Sequence, residues 1–153
     1  MQSDLKIDAI DQTILRILES EGRISNAALS ERVSLSASAC LRRVQELERT
    51  GKIKRYRAVL DAAALGQGFV VYVAVGLSRH TLQEQQAFES AMAAAAQVRE
   101  CHNVAGAIEY LLRVEVEDLP AYKRFHANVL GELPQVARIT SYIVMDSTKD
   151  ERA

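Results

Sequence analysis

Between residues 25 and 51 the chain offers two helix starts separated by a break too short to hold any other structure. Ser25 opens "SNAALSERV", Ser36 opens "ASACLRRVQELERT", and only Ser34 and Leu35 stand between the two segments. A serine hydroxyl just ahead of a helix accepts a free N–H of the first turn. Gly51 then provides a residue that leaves the helix easily. An earlier segment, "DAIDQTILRILES" (8–20), sets Ile10, Ile14, Ile17 and Leu18 at helical spacing, with Asp8 as its cap and Gly22 as its end. Three short helices, the last two nearly abutting, form a helix-turn-helix layout.

Charge concentrates in the same region. Seven of the eighteen residues in "CLRRVQELERTGKIKRYR" (40–57) are Lys or Arg, opposed only by Glu46 and Glu48, although the whole chain carries a formal −1. Residues 1–60 sum to +3 and residues 61–153 to −4. This asymmetry predicts two modules, the first directed at a polyanion.

On a wheel at about 100° per residue, Cys40, Val44 and Leu47 share a narrow arc that must face a core. The opposite arc carries Ser38, Arg42, Gln45 and Arg49, flanked by Ala39 and Glu46, with Arg43 nearer the core boundary. Small residues first and Arg or Gln later suit a helix entering a DNA major groove, where bidentate donors read purine edges. The predicted DNA-reading set is Ser36, Ser38, Ala39, Arg42, Arg43, Gln45 and Arg49, with Lys52, Lys54 and Arg55 placed for phosphates. A solvated helix stabilised by pairs such as Arg42–Glu46 is the bland alternative. Its position directly after another helix and before a basic strand favours the DNA reading.

After Gly51, "KIKRYRAVL" (52–60) alternates basic and apolar residues and reads as a strand or wing, and "DAAALGQG" (61–68) as the end of a hinge. The rhythm then changes. "FVVYVAVGL" (69–77) is a buried strand, "TLQEQQAFESAMAAAA" (81–96) a helix, and "VRECHNVAG" with "EYLLRVEVE" two strands about a glycine turn. "DLPAYKRFHANVLGEL" (118–133) is a helix capped by Asp118, and "VARITSYIVM" (136–145) a last strand. The fold class is α+β: a winged helix-turn-helix, then a ferredoxin-like β-α-β-β-α-β module. The expected division is 1–52 for the first domain, 53–67 for wing and hinge, and 68–153 for the second.

Other chemistry finds little support. Cys40 and Cys101 form no CxxC pair, and the N-terminal stretch has no signal-peptide core, so a reduced, cytoplasmic protein outside the membrane is expected. His80, His102 and His126 lack metal-ligand spacing, and neighbours Cys101 and His102 on a strand point to opposite faces. No P-loop, GxGxxG or Gly-x-Ser-x-Gly occurs, so neither a catalytic residue, a cofactor nor a metal site is expected.

Residues 7–61, together with "ECHNVAGAIEYLLRVEVEDLPAYKRF" and "VARITSYIVM", closely resemble the Lrp/AsnC (feast/famine) transcriptional regulators, in the same order, from about residue 5 to 148. The resemblance implies dimers formed through the sheet module, commonly assembled into octamers, that bind double-stranded DNA and a small effector, usually an amino acid. It places the effector at Val104, Gly106, Ala107, Ile108, Glu109 and Tyr110, at Asp118, and at Ser141, Tyr142, Ile143 and Val144. Where the family often shows G-D-x-D-Y, this chain reads "GAIEY" (106–110): Ala107 removes one carboxylate and Glu109 lengthens another. Two other classes remain at this stage. One is a DNA-architectural oligomer, against which the net charge of −1 argues. The other is an enzyme resembling the sirohaem decarboxylases of similar layout, which have no evident need of a basic recognition helix.

Overall fold

A computed structural model describes residues 7–150. The N-terminal residues 1–6, covered by the signal-peptide reading above, and residues 151–153 lie outside the described residues. The chain separates into two compact units, Met1–Ala58 and Val59–Ala153, so the segment expected as one hinge, 53–67, is divided between them.

The first unit contains α1 (Ala9–Ser20), α2 (Asn26–Arg32) and α3 (Ala37–Arg49). The three predicted caps all form. Asp8 Oδ1 accepts the Asp11 N–H at 2.8 Å, Ser25 Oγ the Ala28 N–H at 3.2 Å, and Ser36 Oγ the Ala39 N–H at 3.3 Å. Ile14, Leu29, Cys40 and Leu47 close a small core, ringed by Ile10, Leu18, Val44 and Ile53. The turn between α2 and α3 is tightened by Ser34 at φ 55, a left-handed conformation unusual for a residue with a Cβ.

One expectation fails here. Residues 52–60 form no strand. Period-two alternation favours an extended chain, but a strand also needs a backbone strand partner, and among the described residues of its unit this segment has none. It is held by the Ile53 N–H donating to the Leu47 carbonyl at 3.0 Å and the Tyr56 hydroxyl donating to Glu48 at 2.9 Å.

The second unit follows the predicted order: β1 (Phe69–Leu77), α4 (Leu82–Ala94), β2 (Val98–Asn103), β3 (Tyr110–Val116), α5 (Leu119–Phe125) and β4 (Val136–Ile143). The sheet is antiparallel throughout, in the order β2-β3-β1-β4. Alternate residues Val71, Val73 and Val75 of β1 and Leu112 and Val114 of β3 pack with Phe88 and Met92 of α4 and Tyr122 and Phe125 of α5. Both helices therefore cover one face, and the opposite face carries Val70, Tyr72, Arg113 and Glu115. The long helix expected over 118–133 stops being α-helical at Phe125, where a π-helical turn, His126–Leu130, takes over.

Candidate functional sites

Along α3, the wheel translates into exposure. Cys40 and Leu47 are buried, while Ser38, Arg42, Gln45 and Arg49 are exposed, as are Lys52, Lys54 and Arg55 beyond it; Ala39 and Arg43 are half-buried. The helix is fixed to its predecessor by the Asn26 side-chain amide, which donates to the Ala37 carbonyl at 2.8 Å. Ser36 and Ser38 hydroxyls lie 3.3 Å apart at the first turn.

The basic residues of this helix divide into two kinds. Arg43 Nη1 reaches Asp8 at 2.7 Å and Asp11 at 2.8 Å, tying α3 to the start of α1. The Asp11 N–H and then the Arg43 guanidinium hold the Asp8 carboxyl below its ordinary range. Arg49 forms a two-point pair with Glu46 on its own helix, at 2.8 and 2.6 Å, which lowers the Glu46 carboxyl. Arg42 forms no ion pair among the described residues, nor do Lys52, Lys54 and Arg55. Their charge is available to a polyanion without breaking an internal contact.

In the second unit the glycine turn is closed by the Val104 N–H donating to the Glu109 carbonyl at 2.9 Å, with the Asn103 amide donating to the same oxygen at 3.2 Å. Ala105, Gly106 and Ala107 stand exposed at its tip. Gly106 has φ 157, and a Cβ built there would meet no atom within 4 Å, so the space above the turn is open. Glu109 points back into the sheet. Its Oε2 accepts the Leu77 N–H at 2.7 Å, beside the register shift at Gly76 and Leu77, and Oε1 lies 3.2 Å from His80 Nδ1. Neither Leu77 nor His80 was legible as a partner, because both are distant in sequence, Leu77 by 32 residues.

Tyr110, expected at the effector site, lies in the core of the unit. It is fully buried, its ring tilted against that of Phe88 with centroids 4.6 Å apart, and its hydroxyl donates to Glu89 at 2.8 Å. Burial and then the Glu89 carboxylate push its phenol up to about 12. It supports the turn from beneath and offers no side-chain surface to a ligand there.

Asp118 is also displaced from the expected cluster. It caps α5, accepting the Ala121 N–H at 2.7 Å, and stands past the far end of β3 from the turn. Six residue steps of strand from Tyr110 to Val116 span roughly 20 Å. Ser141, Tyr142 and Ile143 lie on edge strand β4, opposite Val73, Tyr72 and Val71, and Val144 follows with its N–H on the Val70 carbonyl at 3.0 Å. With β1 between β3 and β4, two strand spacings of about 4.8 Å separate them from β3. Ser141 has a partner that sequence reasoning missed, the Tyr122 hydroxyl at 2.5 Å. One copy of the chain thus distributes these positions over three places.

Cys101 is half-buried, and burial followed by the Glu89 carboxylate pushes its thiol up to about 11; burial also raises that of Cys40. Neither is primed as a nucleophile at neutral pH.

The second unit matches a known family: residues 70–153 fit the model described as the Lrp/AsnC ligand binding domain. The chain belongs to the Lrp/AsnC family. Residues 7–54 match a winged helix-turn-helix DNA-binding model. The leucine-responsive regulatory protein of Klebsiella pneumoniae is 40% identical over 143 residues, covering 94% of this chain and 87% of the relative. That of Escherichia coli K12 is 39% identical over the same shares. A Neisseria meningitidis transcriptional regulator solved with L-methionine superposes with a TM-score of 0.90 at 31% identity, covering 94% of this chain and 92% of that one. An AsnC-family regulator of Agrobacterium tumefaciens gives 0.88 at 30%, over 94% and 93%. This Lrp/AsnC protein is accordingly a DNA-binding transcriptional regulator with a ligand-binding domain, and not an enzyme. Among its described residues no helix is long and apolar enough to cross a membrane.

Proposed function

We propose that this regulator reads double-stranded DNA with the exposed face of α3 and answers to an amino acid bound at the glycine turn. The observation that carries the DNA assignment is the division of the cations. Arg43 and Arg49 are engaged internally, whereas Arg42, next to Ser38 and Gln45, faces outward with no ion pair among the described residues. Arg42 and Gln45 then read base edges, Ser36, Ser38 and Ala39 allow close approach, and Lys52, Lys54 and Arg55 contact phosphates. Arg43 positions the helix, and Arg49 contributes after leaving Glu46.

An amino-acid effector is supported by the methionine-bound relative and by the open turn. Exposed N–H groups near Gly106 suit a carboxylate. Because Asp118 and Ser141–Val144 lie away from the turn within one copy, a pocket using all of them requires several copies. That requirement supports a homodimer formed through the helix-free sheet face and assembled further into an octamer of four dimers. Assembly would place two reading helices on half-sites about one helical turn apart, and an effector held between copies shifts assembly by binding one state better than another. The site of action is the cytoplasm.

Fluorescence anisotropy with labelled DNA from upstream of the protein's own coding region tests this, with unrelated DNA in excess and a pool of the twenty amino acids present or absent. The expected result is specific binding that the pool shifts. Specific binding that ignores the pool would remove the amino-acid effector, and equal binding to all DNA would remove the reading assigned to α3.

A further inference from the structure

Leu41 departs from the chemistry of its own helix. Leu47, the other leucine of α3, is 5% exposed within the core, whereas Leu41 is 45% exposed and belongs to neither apolar core. A single exposed leucine is ordinary on a protein surface. What distinguishes this one is its position. It follows Ser38 by three residues and precedes Gln45 by four, so all three share one stripe, with Arg42 alongside. The next residue of that stripe, Glu48, accepts the Tyr56 hydroxyl at 2.9 Å. The result is an exposed apolar side chain on the flank of the face assigned to base reading, between Ser38 and Gln45.

In the major groove, the apolar group that distinguishes one base pair from another is the C5-methyl of thymine. We propose that Leu41 is a specificity-determining residue that packs on a thymine methyl in each half-site, next to the base edge read by Gln45. This rests on the assignment of α3 as the reading helix. The leucine side chain offers no hydrogen bond and discriminates by burying its methyl groups against that of thymine. Cytosine presents no methyl there, and an amino donor instead.

The test replaces thymine by deoxyuridine, which removes the methyl and leaves base pairing and hydrogen-bonding edges intact. The full-length protein first selects its preferred duplex from a random-sequence pool, and each thymine of that duplex is then changed singly. At one position per half-site, wild-type affinity should fall about fourfold, as expected for one buried methyl. Leu41→Ala should bind the parent duplex more weakly and be indifferent to uracil at that position, while Leu41→Met keeps the penalty. Circular dichroism should show an unchanged fold, since the side chain lies outside both cores. Wild-type indifference to uracil at every position, or a penalty retained by Leu41→Ala, would overturn the assignment. Failure to enrich any sequence from the pool would overturn the reading of α3 itself, and this inference with it, before any base is modified.

Discussion

The Arg43 guanidinium lies 2.8 Å from the Asp11 carboxylate, across 32 residues of sequence, and so fastens α3 to α1. Asp8, the cap of α1, shares the same nitrogen at 2.7 Å. Arg43→Ala should therefore lower the unfolding midpoint by about 2–5 °C, the scale of a partly exposed ion pair in a small unit. The salt dependence of DNA binding should keep its slope. Arg42→Ala should do the reverse, leaving stability intact and costing about 1–3 kcal/mol on specific DNA. Thermal melts and salt titrations of both variants distinguish the roles; a slope reduced by about one in Arg43→Ala would mean that Arg43 reaches a phosphate.

Ser34 holds φ 55 in the turn joining α2 to α3. A side chain there costs conformational energy that glycine avoids, although glycine has more freedom to lose on folding. Ser34→Gly should be net stabilising by roughly 0.5–1 kcal/mol, and Ser34→Val, with a β-branched side chain, should destabilise. Urea unfolding of the three proteins measures both.

Gly106 has open space where a side chain would project. Gly106→Val should abolish the amino-acid response of DNA binding, by filling the space proposed for the effector and straining the turn. Basal DNA binding should survive, because the reading helix folds in a separate unit. Anisotropy titrations with and without amino acids report both properties. An intact response would move the effector away from this turn.

Acid should weaken the first unit. The Asp11 N–H and Arg43 lower the Asp8 carboxyl, Arg32 lowers that of Glu21 and Arg49 that of Glu46. A carboxyl lowered by folding stabilises fully above its unfolded value, about 3.9 for Asp and 4.3 for Glu, and ceases to do so as pH falls through the folded value. The melting midpoint should therefore drop below about pH 4.5. Tyrosine behaves oppositely in base. Burial followed by Glu48 pushes Tyr56 up to about 12, and Tyr110 reaches about 12 by burial followed by Glu89. Their contribution holds below the ordinary value near 10 and disappears as pH rises through the folded values. Melts from pH 3 to 6 and phenolate absorbance from pH 9 to 13 check these signs, with Tyr56 and Tyr110 ionising late. A midpoint flat across the acid range, or a single phenolate step near 10, would contradict them.

Most elements were legible because their causes are local. Asp8, Ser25, Ser36 and Asp118 each bond an N–H three residues ahead, and the apolar periods of β1 and α3 lie within single segments. The period-two run at 52–60 misled because extended propensity needs a partner backbone to become a strand. The π-helical turn at His126–Leu130 escaped notice since its apolar spacing resembles that of an α-helix. At the sites, sequence placed the basic face of α3 but could not separate Arg42 from Arg43. They are adjacent in the chain, and only packing of α1 against α3 brings Asp8 and Asp11 to one of them.

The sequence by itself therefore determined two modules, their helices and sheet strands, and the helix that carries the basic face, since caps and periodicity act within about one or two turns. Tertiary structure decided which cations are engaged, where Glu109 points, that Tyr110 lies in the core, and that Asp118 stands far from the glycine turn. Those outcomes depend on residues tens of positions apart meeting in space, and no local pattern records which of several possible partners a side chain will reach.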